Sequence, residues 1–569
     1  MSAPAEAIVT AGLRPELFAE SGVRSISRTL VIATLAVMLL GGFAFRARNL
    51  SAEGFADDEL NKLDAANDYR AHGLTAANGE HPFLMKAVIT ASVVAAERWN
   101  NSPLVTGHSS ELFVPVEEAV RLPNVIVGSF ITILIYLVVS ELFGVEIALL
   151  AAALWAFDPI AIGFNRIAKE DTFLLFFFLL ANVFWLRGQR RAESEPNRNP
   201  RPYYWATAAA FGAMVASKYI PQYVAISIGY YWVFQAIPET RWRLGRPRFL
   251  LFFVVMGLAF ILLSPTILLP GTWHEIFEFF KHKAAGRDSY EFMGRLYPHE
   301  VRSWLSGIPW YFYFVFFAVK LPLLTVVGFI IGLPLLFRRK LGDGRYLLLF
   351  WMFFWLQFTI SGSKFTRYTT FVLPAIYTTA AIGIYYVARW IARRSAQVLR
   401  NDGLRVYAKA ALCSGVVLLS VLAAASAVPH FRLYTNALGG AANAGAYFTQ
   451  DEFYDSQVRQ VMIEIARRAG PRASVASETP TVCTYYASQA NRPDLACVSL
   501  SDSTATRRLG EGDFVIAARG RHYLSNDAVL SKLRQSSAPA FNVTLGNVPA
   551  ADVYILDQAS TAGLKTVGH

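Results

Sequence analysis

Long apolar runs constrain this chain more than any other feature. A helix needs about 20 predominantly apolar residues to cross a bilayer core, and runs near that length recur along most of the 569 residues. Apolar residues make up 54% of the chain and charged residues 17%, against about 45–50% and 25% in soluble domains. We predict eleven spans, at 29–46, 120–140, 145–164, 171–186, 203–217, 219–237, 249–268, 310–337, 346–361, 369–388 and 406–428.

Basic residues indicate the sidedness of these spans. Eighteen Arg or Lys and only five acids lie in four short segments between spans, 187–201, 238–248, 338–345 and 389–405. Alternating spans put all four on the side of the N-terminus, and the positive-inside rule makes that side cytoplasmic. The four segments carry +13 against +12 for the whole chain, so no basic patch remains for nucleic acid. We predict a multi-pass protein of the inner (cytoplasmic) membrane, with a cytoplasmic N-terminal segment at 1–28.

The C-terminal quarter has a soluble composition. Helical apolar spacing extends over 453–469, and short β-like runs follow at 473–477, 495–500, 513–518 and 553–556. We therefore predict an all-α polytopic membrane domain at 29–428, with external loops 47–119 and 269–309, and a small extracytoplasmic α/β domain at 429–569. Cys483 and Cys497 both lie in that domain, in a compartment that permits a disulfide. Whether they pair stays open on the sequence alone.

Three consecutive carboxylates, Asp57, Asp58 and Glu59, follow the first span. Like charges held together raise one another's pKa. A carboxylate with a raised pKa at a membrane surface suits a general base that takes a proton from an acceptor hydroxyl. The alternative is a solvated helix N-terminus, where acids interact favourably with the helix dipole.

A second ionisable stretch, 158–171, lies between the third and fourth spans. Arg166 is four residues from Glu170, a spacing that favours a local ion pair on a helix. Asp171 opens a helix and is either its cap or a second carboxylate that faces the first cluster across a cleft. Spans bring external loops together, so separation in sequence does not argue against such a cleft.

Two external turns are basic, against the positive-inside trend. Lys218 lies between the fifth and sixth spans, and Lys364, Arg367 and Tyr368 lie between the ninth and tenth. A phosphate at the membrane surface would account for both turns, because Lys binds phosphate as a point charge and Arg as a bidentate donor. Anchoring to lipid headgroups is the alternative.

Two further features of the predicted external loops are weaker indications of a binding site than the acidic cluster and the basic turns. Lys86 lies on a predicted interfacial helix at 82–98, where it would snorkel or meet a lipid headgroup. His274 and His282 are eight residues apart, without a recognised metal-binding spacing. No cofactor is predicted with certainty, although a carboxylate cluster permits a divalent metal.

Carboxylates and cations in one external cleft at the lipid boundary are what transfer from a lipid-linked phosphate donor requires. A transporter or lipid flippase is the main alternative, and it would place ionisable groups near the bilayer midplane. Lys320 is almost the sole such charge in the predicted spans. A non-catalytic scaffold that presents the C-terminal domain is a third hypothesis.

The same residues resemble a known family, the membrane glycosyltransferases of the GT-C fold. The resemblance is to the protein O-mannosyltransferase and aminoarabinose-transferase group, described as glycosyltransferase family 39-like, and it extends over nearly the whole chain. The motifs that carry it are Asp57-Asp58-Glu59, His81-Pro82, Arg121-Leu122-Pro123-Asn124, Arg166 to Asp171, Ser217-Lys218-Tyr219, Lys364 to Tyr368 with Pro374, and Tyr434 to Gly440.

The resemblance implies transfer of a sugar from a polyprenyl-phosphate donor, with inversion, to a lipid, glycan or protein acceptor on the external face of the membrane. Asp58 and Glu59 match the family's acidic pair, with one of them, or Asp57, as the base. Asp171 matches a second external carboxylate. The residues expected near the carrier phosphate are Lys218, Lys364, Arg367, Tyr368 and Arg166.

Two departures from the family pattern bear on the acceptor. The loop 269–309 is too short for the β-trefoil domain of the eukaryotic O-mannosyltransferases, which argues against a protein acceptor. No Trp-Trp-Asp motif occurs in the sequence, which separates the chain from the oligosaccharyltransferase branch.

Overall fold

The computed structural model describes most of the chain. The described residues are 26–107, 110–194, 199–219, 225–226, 229–230, 248–279, 281, 287–299, 306–338, 341–342, 344–401 and 404–565. The predicted span at 219–237 lies mostly outside them, and so do His282 and the N-terminal segment up to residue 25.

Helices dominate the chain up to residue 426. The α-helices there are α1 (Arg28–Ala47), α2 (Asp57–His72), α3 (Phe83–Asn100), α4 (Pro103–Thr106), α5 (Val116–Phe143), α6 (Val145–Phe157), α7 (Pro159–Asn165), α8 (Glu170–Ser194), α9 (Arg201–Val215), α10 (Phe249–Leu263), α11 (Pro270–Glu278), α12 (Phe312–Lys320), α13 (Leu323–Leu335), α14 (Arg345–Ile360), α15 (Leu373–Leu399) and α16 (Leu404–Ser426). Short 3₁₀ helices along the chain are Ser110–Leu112, Pro265–Leu268, Thr366–Phe371, Phe431–Leu433, Ala441–Asn443 and Leu524–Asn526.

Several of these helices are membrane spans by length and composition. Within the described residues, four helices are long and apolar enough to cross a bilayer, namely α1, α5, α8 and α16. A fifth is formed if the pair α6 and α7, bent by 61°, counts as one span. Three shorter apolar helices, α10, α13 and α14, also correspond to predicted spans. This set of apolar helices places the protein in a membrane.

Prolines break two of the predicted spans. The run 145–164 is divided at Asp158-Pro159, where the Asp158 carboxylate caps α7 by accepting from the backbone N–H groups of Ile160 and Ala161. The overlong run 310–337 is divided into α12 and α13 at Leu321-Pro322. Proline cannot donate the backbone hydrogen bond that a continuous helix needs, which accounts for both breaks, whereas α5 and α13 continue through Pro123 and Pro334.

Glycines allow α13 and α15 to pack with their backbones in contact. Gly328 and Gly332 are four residues apart on α13, and a Cβ atom on Gly332 would lie 1.9 Å from the carbonyl oxygen of Thr379 on α15. A Cβ on Gly383 of α15 would lie 2.0 Å from the carbonyl oxygen of Gly328. Small residues at this spacing are the usual means of close helix packing in membranes, where hydrophobicity alone does not drive association.

Helices α2 and α3 form a layer between the long apolar helices and the C-terminal region. The apolar side chains of both helices share one core with the C-terminal domain, in which Phe55, Met85 and Met462 are buried. Lys86 of α3 is also buried, and its ammonium donates to the carbonyl oxygens of Ala77 and Asn78 at 2.9 and 2.7 Å. The expectation that Lys86 snorkels or meets a headgroup is therefore wrong.

The chain after residue 428 forms a small α/β region, as predicted. Its helices are α17 (Thr449–Phe453), α18 (Val458–Arg468), α19 (Pro480–Gln489), α20 (Ser503–Arg507), α21 (Asp527–Ser536) and α22 (Gln558–Lys565). A hairpin from the predicted loop 269–309, β1 (Arg287–Phe292) and β2 (Arg295–His299), packs beside it. The strands of the region are β3 (Ser474–Ser477), β4 (Ala496–Ser499), β5 (Phe514–Ala518), β6 (Phe541–Leu545) and β7 (Val548–Ile555).

These five strands form one sheet in the order β4-β3-β5-β7-β6. Strand β3 is parallel to both β4 and β5, whereas β7 is antiparallel to β5 and β6. Four of the strands coincide with predicted runs, and β6 was not predicted. Cys483 on α19 and Cys497 on β4 form a disulfide, with their Cα atoms 5.9 Å apart, which answers the question that the sequence left open.

Candidate active site

The three acids of the first cluster occupy the first turn of α2. Ala56 precedes the helix, and its backbone N–H donates to Glu59 Oε2 at 3.1 Å. Acids are favoured in this turn because the helix dipole and the unpaired N–H groups are positive there. Successive helical residues point about 100° apart, so the three carboxylates face three different surroundings.

Glu59 is completely buried in an ion pair with Arg121 of α5. Arg121 Nε and Nη2 donate to its two oxygens at 2.9 and 2.7 Å, and the N–H of Ala168 donates at 2.9 Å. Burial would raise the pKa of Glu59, but the charge and hydrogen bonds of Arg121 outweigh it and hold that pKa below the usual value. The expectation of a raised pKa in the acidic cluster is therefore wrong for Glu59.

Asp58 lies beside a lysine at the boundary of the buried region. Its side chain is 15% exposed, and Lys169 Nζ is 2.6 Å from Oδ2. The hydroxyl of Tyr454 donates to the same carboxylate at 3.2 Å. Burial lowers the pKa of Lys169 to about 8, so the ammonium next to Asp58 is close to its titration range at physiological pH.

Asp57 faces the C-terminal domain. Thr481 Oγ1 donates to its Oδ1 at 2.8 Å, and Arg521 Nη1 lies 3.5 Å from Oδ2. Arg521 also donates to Asp455 at 2.9 Å. Asp57 therefore joins α2 to the domain through side chains that were not among the predicted site residues.

A second acidic pair opens α8 on the other side of the site. Glu170 is buried, with Lys62 Nζ at 2.9 Å and His81 Nδ1 at 3.4 Å. Burial lowers the pKa of His81 to about 3, so the imidazole is neutral. Burial would also lower the pKa of Lys62, but the charges of Glu170 and Asp58 raise it above its usual value. Arg166 makes no ion pair with Glu170, against expectation, since its guanidinium lies elsewhere.

Asp171 is the point at which both predicted basic turns meet. Lys218 Nζ donates to Asp171 Oδ1 at 2.6 Å, and Arg367 Nε lies 3.9 Å from Oδ2. Tyr368 lies beside both cations, with its ring centre 5.0 Å from Lys218 Nζ and 5.7 Å from the Arg367 guanidinium carbon. Asp171 Oδ2 and Arg367 Nε are buried without a hydrogen-bond partner among the described residues. The structure thus brings together four predicted residues here, from three separate segments.

Two predicted phosphate ligands lie against backbone carbonyl groups instead. Arg166 donates to the carbonyl oxygens of Arg46, Arg48 and Asn49 at 2.7–2.8 Å, which satisfies the C-terminal end of α1. Lys364 donates to the carbonyl oxygen of Ile308 at 2.9 Å, and also to that of Ser361. Both side chains are buried at these positions.

Sequence reasoning missed the contribution of the segment after the last span. Asp451 accepts from the Tyr290 hydroxyl at 2.7 Å and from the Thr366 N–H at 2.8 Å, and lies 3.5 Å from Arg367 Nη1. Tyr454, three residues on, reaches Asp58. The signal available in the sequence was the pair Asp451-Glu452, which directly precedes the helical stretch 453–469 and was not assigned a role.

Metal-binding geometry does not appear in the described part of the chain. No group of three or more His, Cys, Asp or Glu side chains is placed there to hold a metal ion. His274 is exposed on α11, and His282 lies outside the described residues.

Comparison with known proteins was made over sequence and structure. Residues 102–268 match the family model described as dolichyl-phosphate-mannose-protein mannosyltransferase. No curated protein sequence matches the chain.

Solved structures with a similar arrangement have low identity. ArnT from Cupriavidus metallidurans, bound to undecaprenyl phosphate, is 16% identical, with 93% of this chain and 98% of that chain covered and a TM-score of 0.49. The Archaeoglobus fulgidus oligosaccharyltransferase tethered with an acceptor peptide is 10% identical, with 86% and 69% covered and a TM-score of 0.46. The S. cerevisiae protein O-mannosyltransferase Pmt1-Pmt2 complex, bound to the sugar donor, is 15% identical, with 48% and 37% covered and a TM-score of 0.29.

The matched residues include the helices α4 to α10, and among these α5 holds Arg121 and α8 holds Glu170 and Asp171. The resemblance to the protein O-mannosyltransferase and aminoarabinose-transferase group of membrane glycosyltransferases is thereby confirmed.

Proposed function

We propose that the protein is a glycosyltransferase that moves a sugar from a polyprenyl-phosphate donor to an acceptor hydroxyl at the external face of the cytoplasmic membrane, with inversion. One observation carries this proposal. Asp58 with Lys169 and Asp171 with Lys218 and Arg367 converge above the spans in a region that is mostly, but not wholly, buried.

Asp58 is the base in this proposal. Glu59 already accepts four hydrogen bonds from Arg121 and two backbone N–H groups, so no lone pair faces a substrate. Asp57 is turned towards the C-terminal domain. Asp58 keeps a partly exposed carboxylate, and a base must come within about 2.6–3.2 Å of the proton that it takes.

Lys218 and Arg367 are the proposed partners of the donor phosphate. Arg367 Nε has no hydrogen-bond acceptor in the described part of the chain, and a phosphate oxygen would supply one. Asp171 holds Lys218 at 2.6 Å and thereby orients it. Preorganised cations lower the barrier because they stabilise charge that develops as the phosphate departs.

The proposed reaction is a single displacement. The acceptor oxygen attacks the anomeric carbon while its proton passes to the Asp58 carboxylate. The bond from the anomeric carbon to the phosphate oxygen breaks, and its electron pair leaves with the polyprenyl phosphate. Attack opposite the leaving group inverts the configuration at the anomeric carbon. Lys169 Nζ, 2.6 Å from Asp58 Oδ2, forms an ion pair with the base.

The test is incubation of the purified protein with a panel of radiolabelled polyprenyl-phosphate sugars. We expect release or transfer of at least one sugar, and a loss of at least about 10²-fold in Asp58→Asn, the usual scale for removal of a general base. Asp58→Glu should restore part of the activity. Glu97→Gln is the matched control, since this carboxylate of α3 is exposed and pairs only with Arg70 in the described residues.

Thermal unfolding of each variant in detergent separates loss of chemistry from loss of folding. Turnover of Asp58→Asn equal to that of the wild type and Glu97→Gln would remove Asp58 from the mechanism. Turnover absent from the wild type with every donor in the panel would refute the proposed function.

A further inference from the structure

A crevice opens in the C-terminal domain at the carboxyl ends of its three parallel strands. The loops after β3, β4 and β5 line it at 478–481, 499–501 and 521–525. In the strand order, β4 lies on one side of β3, and β5 lies on the other side. The strands that follow β5 in the chain also lie on the side of β5. Ligands of open α/β sheets bind where neighbouring connections diverge in this way.

The lining of this crevice is almost entirely polar. Its volume is about 410 Å³, within the range of about 300–1,000 Å³ for small-molecule sites. Nine of the ten lining residues have polar side chains, and Pro480 is the exception. Six of the nine carry a hydroxyl group, namely Thr479, Thr481, Ser499, Ser501, Tyr523 and Ser525.

The charges and the polarity of the lining indicate which class of ligand the crevice can bind. Asp57 and Glu478 contribute two carboxylates, against one guanidinium from Arg521, so a phosphate or other anion is disfavoured. An apolar chain is disfavoured too, because nine of the ten lining residues carry polar side chains. Hydroxyl groups that both donate and accept, together with carboxylate acceptors and a guanidinium donor, match a ligand with many hydroxyl groups.

Asp57 connects the crevice with the proposed base. Its carboxylate forms one end of the lining, where it accepts from Thr481 Oγ1 at 2.8 Å. Asp58 follows Asp57 on α2 and does not line the crevice, but Arg521, which does, interacts electrostatically with both carboxylates, so this end of the crevice lies near the base. The crevice thus begins in the soluble domain and reaches the membrane domain.

A larger cleft of about 810 Å³ lies on the other side of the loop after β5. The side chains of this loop alternate between the two spaces. Arg521, Tyr523 and Ser525 line the crevice, whereas His522 and Leu524 line the cleft. No residue of α2 lines the cleft, whereas Asp57 of α2 lines the crevice. The crevice is therefore the one of these two spaces that contacts α2.

We propose that the crevice binds the acceptor and that this acceptor is a hydroxyl-rich saccharide. The inference rests on the proposed function for the transfer itself, since the crevice would present one sugar hydroxyl to Asp58. Recognition would come from the loops of the C-terminal domain, and the chemistry would remain on α2 and α8.

The test uses Thr481→Trp and its matched control Thr484→Trp in the full chain. Both threonines are exposed on α19, one turn apart, but only Thr481 lines the crevice. The probe is an array of labelled neutral oligosaccharides of glucose, galactose, mannose and N-acetylglucosamine, with binding measured in the absence of donor. We expect binding that falls at least about tenfold in Thr481→Trp and stays unchanged in Thr484→Trp.

A second measurement separates this inference from the proposed function. Release of sugar from the donor to water, without any acceptor, should be equal in the wild type and Thr484→Trp, because Thr484 does not line the crevice. Transfer to the bound saccharide should fall in Thr481→Trp alone.

Several outcomes would overturn the inference. They are equal saccharide binding by the two variants, failure of every saccharide to bind the wild type, and transfer to a serine-containing peptide or a long-chain alcohol that Thr481→Trp leaves unchanged. Absence of both donor hydrolysis and sugar transfer to any acceptor in the wild type would instead refute the proposed function, and the acceptor role with it. The binding comparison would then decide whether the crevice is a saccharide site.

Discussion

Glu59→Gln tests whether this residue of the acidic motif acts in stability rather than in catalysis. The carboxylate is completely buried and accepts from Arg121 Nε, Arg121 Nη2, Ala168 N and Ala56 N at 2.7–3.1 Å. The glutamine side chain has one oxygen that can accept from these four donors. Its NH₂ group would face the donors that bound the second oxygen of Glu59, and Arg121 would lose its counter-charge. Removal of one partner of a buried ion pair costs about 3–5 kcal/mol, which is roughly 10²–10⁴-fold in the folding equilibrium.

The pH range of the measurement follows from the pKa of Glu59, which lies below the usual value. A lowered pKa in the folded state means that the stabilisation is complete above the unfolded-state pKa and is lost as the pH falls through the folded-state pKa. At pH 7 the full penalty therefore applies. The difference in stability between wild type and Glu59→Gln should shrink under acid conditions.

The assay is thermal unfolding of detergent-solubilised protein followed by tryptophan fluorescence, with turnover expressed per folded molecule after size-exclusion chromatography. Glu59→Gln should unfold at a lower temperature and should retain most of its turnover in the folded fraction. Asp58→Asn should show the reverse pattern, since its carboxylate is partly exposed. Wild-type stability of Glu59→Gln, combined with loss of turnover per folded molecule, would refute the assignment.

Three further predictions concern Lys169, the disulfide and the link between the domains. Activity should fall as the pH rises through about 8, because the buried Lys169 ammonium loses its charge there, and Lys169→Arg should move this fall to higher pH in a rate profile. Cys497→Ser should destabilise the C-terminal domain by about 3 kcal/mol, the loop-closure value for about 15 residues, as measured by limited proteolysis with Cys413→Ser as the control. Lys320→Met should cost about 3–5 kcal/mol, because Glu452 is left buried without its partner, and the double variant with Glu452→Gln should recover part of that loss in thermal unfolding.

Much of the fold could be predicted because its signals are local. Proline at 322 begins a helix because it lacks the backbone N–H that a continuing helix would use, and the continuous apolar run in 514–518 indicates a buried strand without knowledge of its neighbours. Apolar length located the described spans for the same reason. Strand β6 was missed although Phe541, Val543 and Leu545 alternate with the polar Asn542 and Thr544, which is the pattern of a half-buried strand.

The division of roles among the three acids could not be predicted. Asp57, Asp58 and Glu59 are equivalent in sequence, and their surroundings depend on the rotation of α2 against α5 and the C-terminal domain. Arg121 is 62 residues from Glu59, and Tyr454 is 396 residues from Asp58. Contacts at such separations arise from packing, which no local pattern specifies. The convergence of the basic turns on Asp171 was anticipated only in outline.

Lys320 bears on the competing hypotheses more than any other residue outside the site. An ionisable side chain within a membrane domain is by default a candidate for transport. Lys320 is 2% exposed and pairs with Glu452, which is equally buried, so its charge is neutralised within the protein instead of facing a pathway. The neighbouring Asp451 accepts a hydrogen bond from the Thr366 N–H, and its carboxylate lies 3.5 Å from Arg367 Nη1. One short helix therefore anchors the C-terminal domain and positions a proposed phosphate ligand. This coupling argues against both a transporter and a scaffold that merely carries the domain.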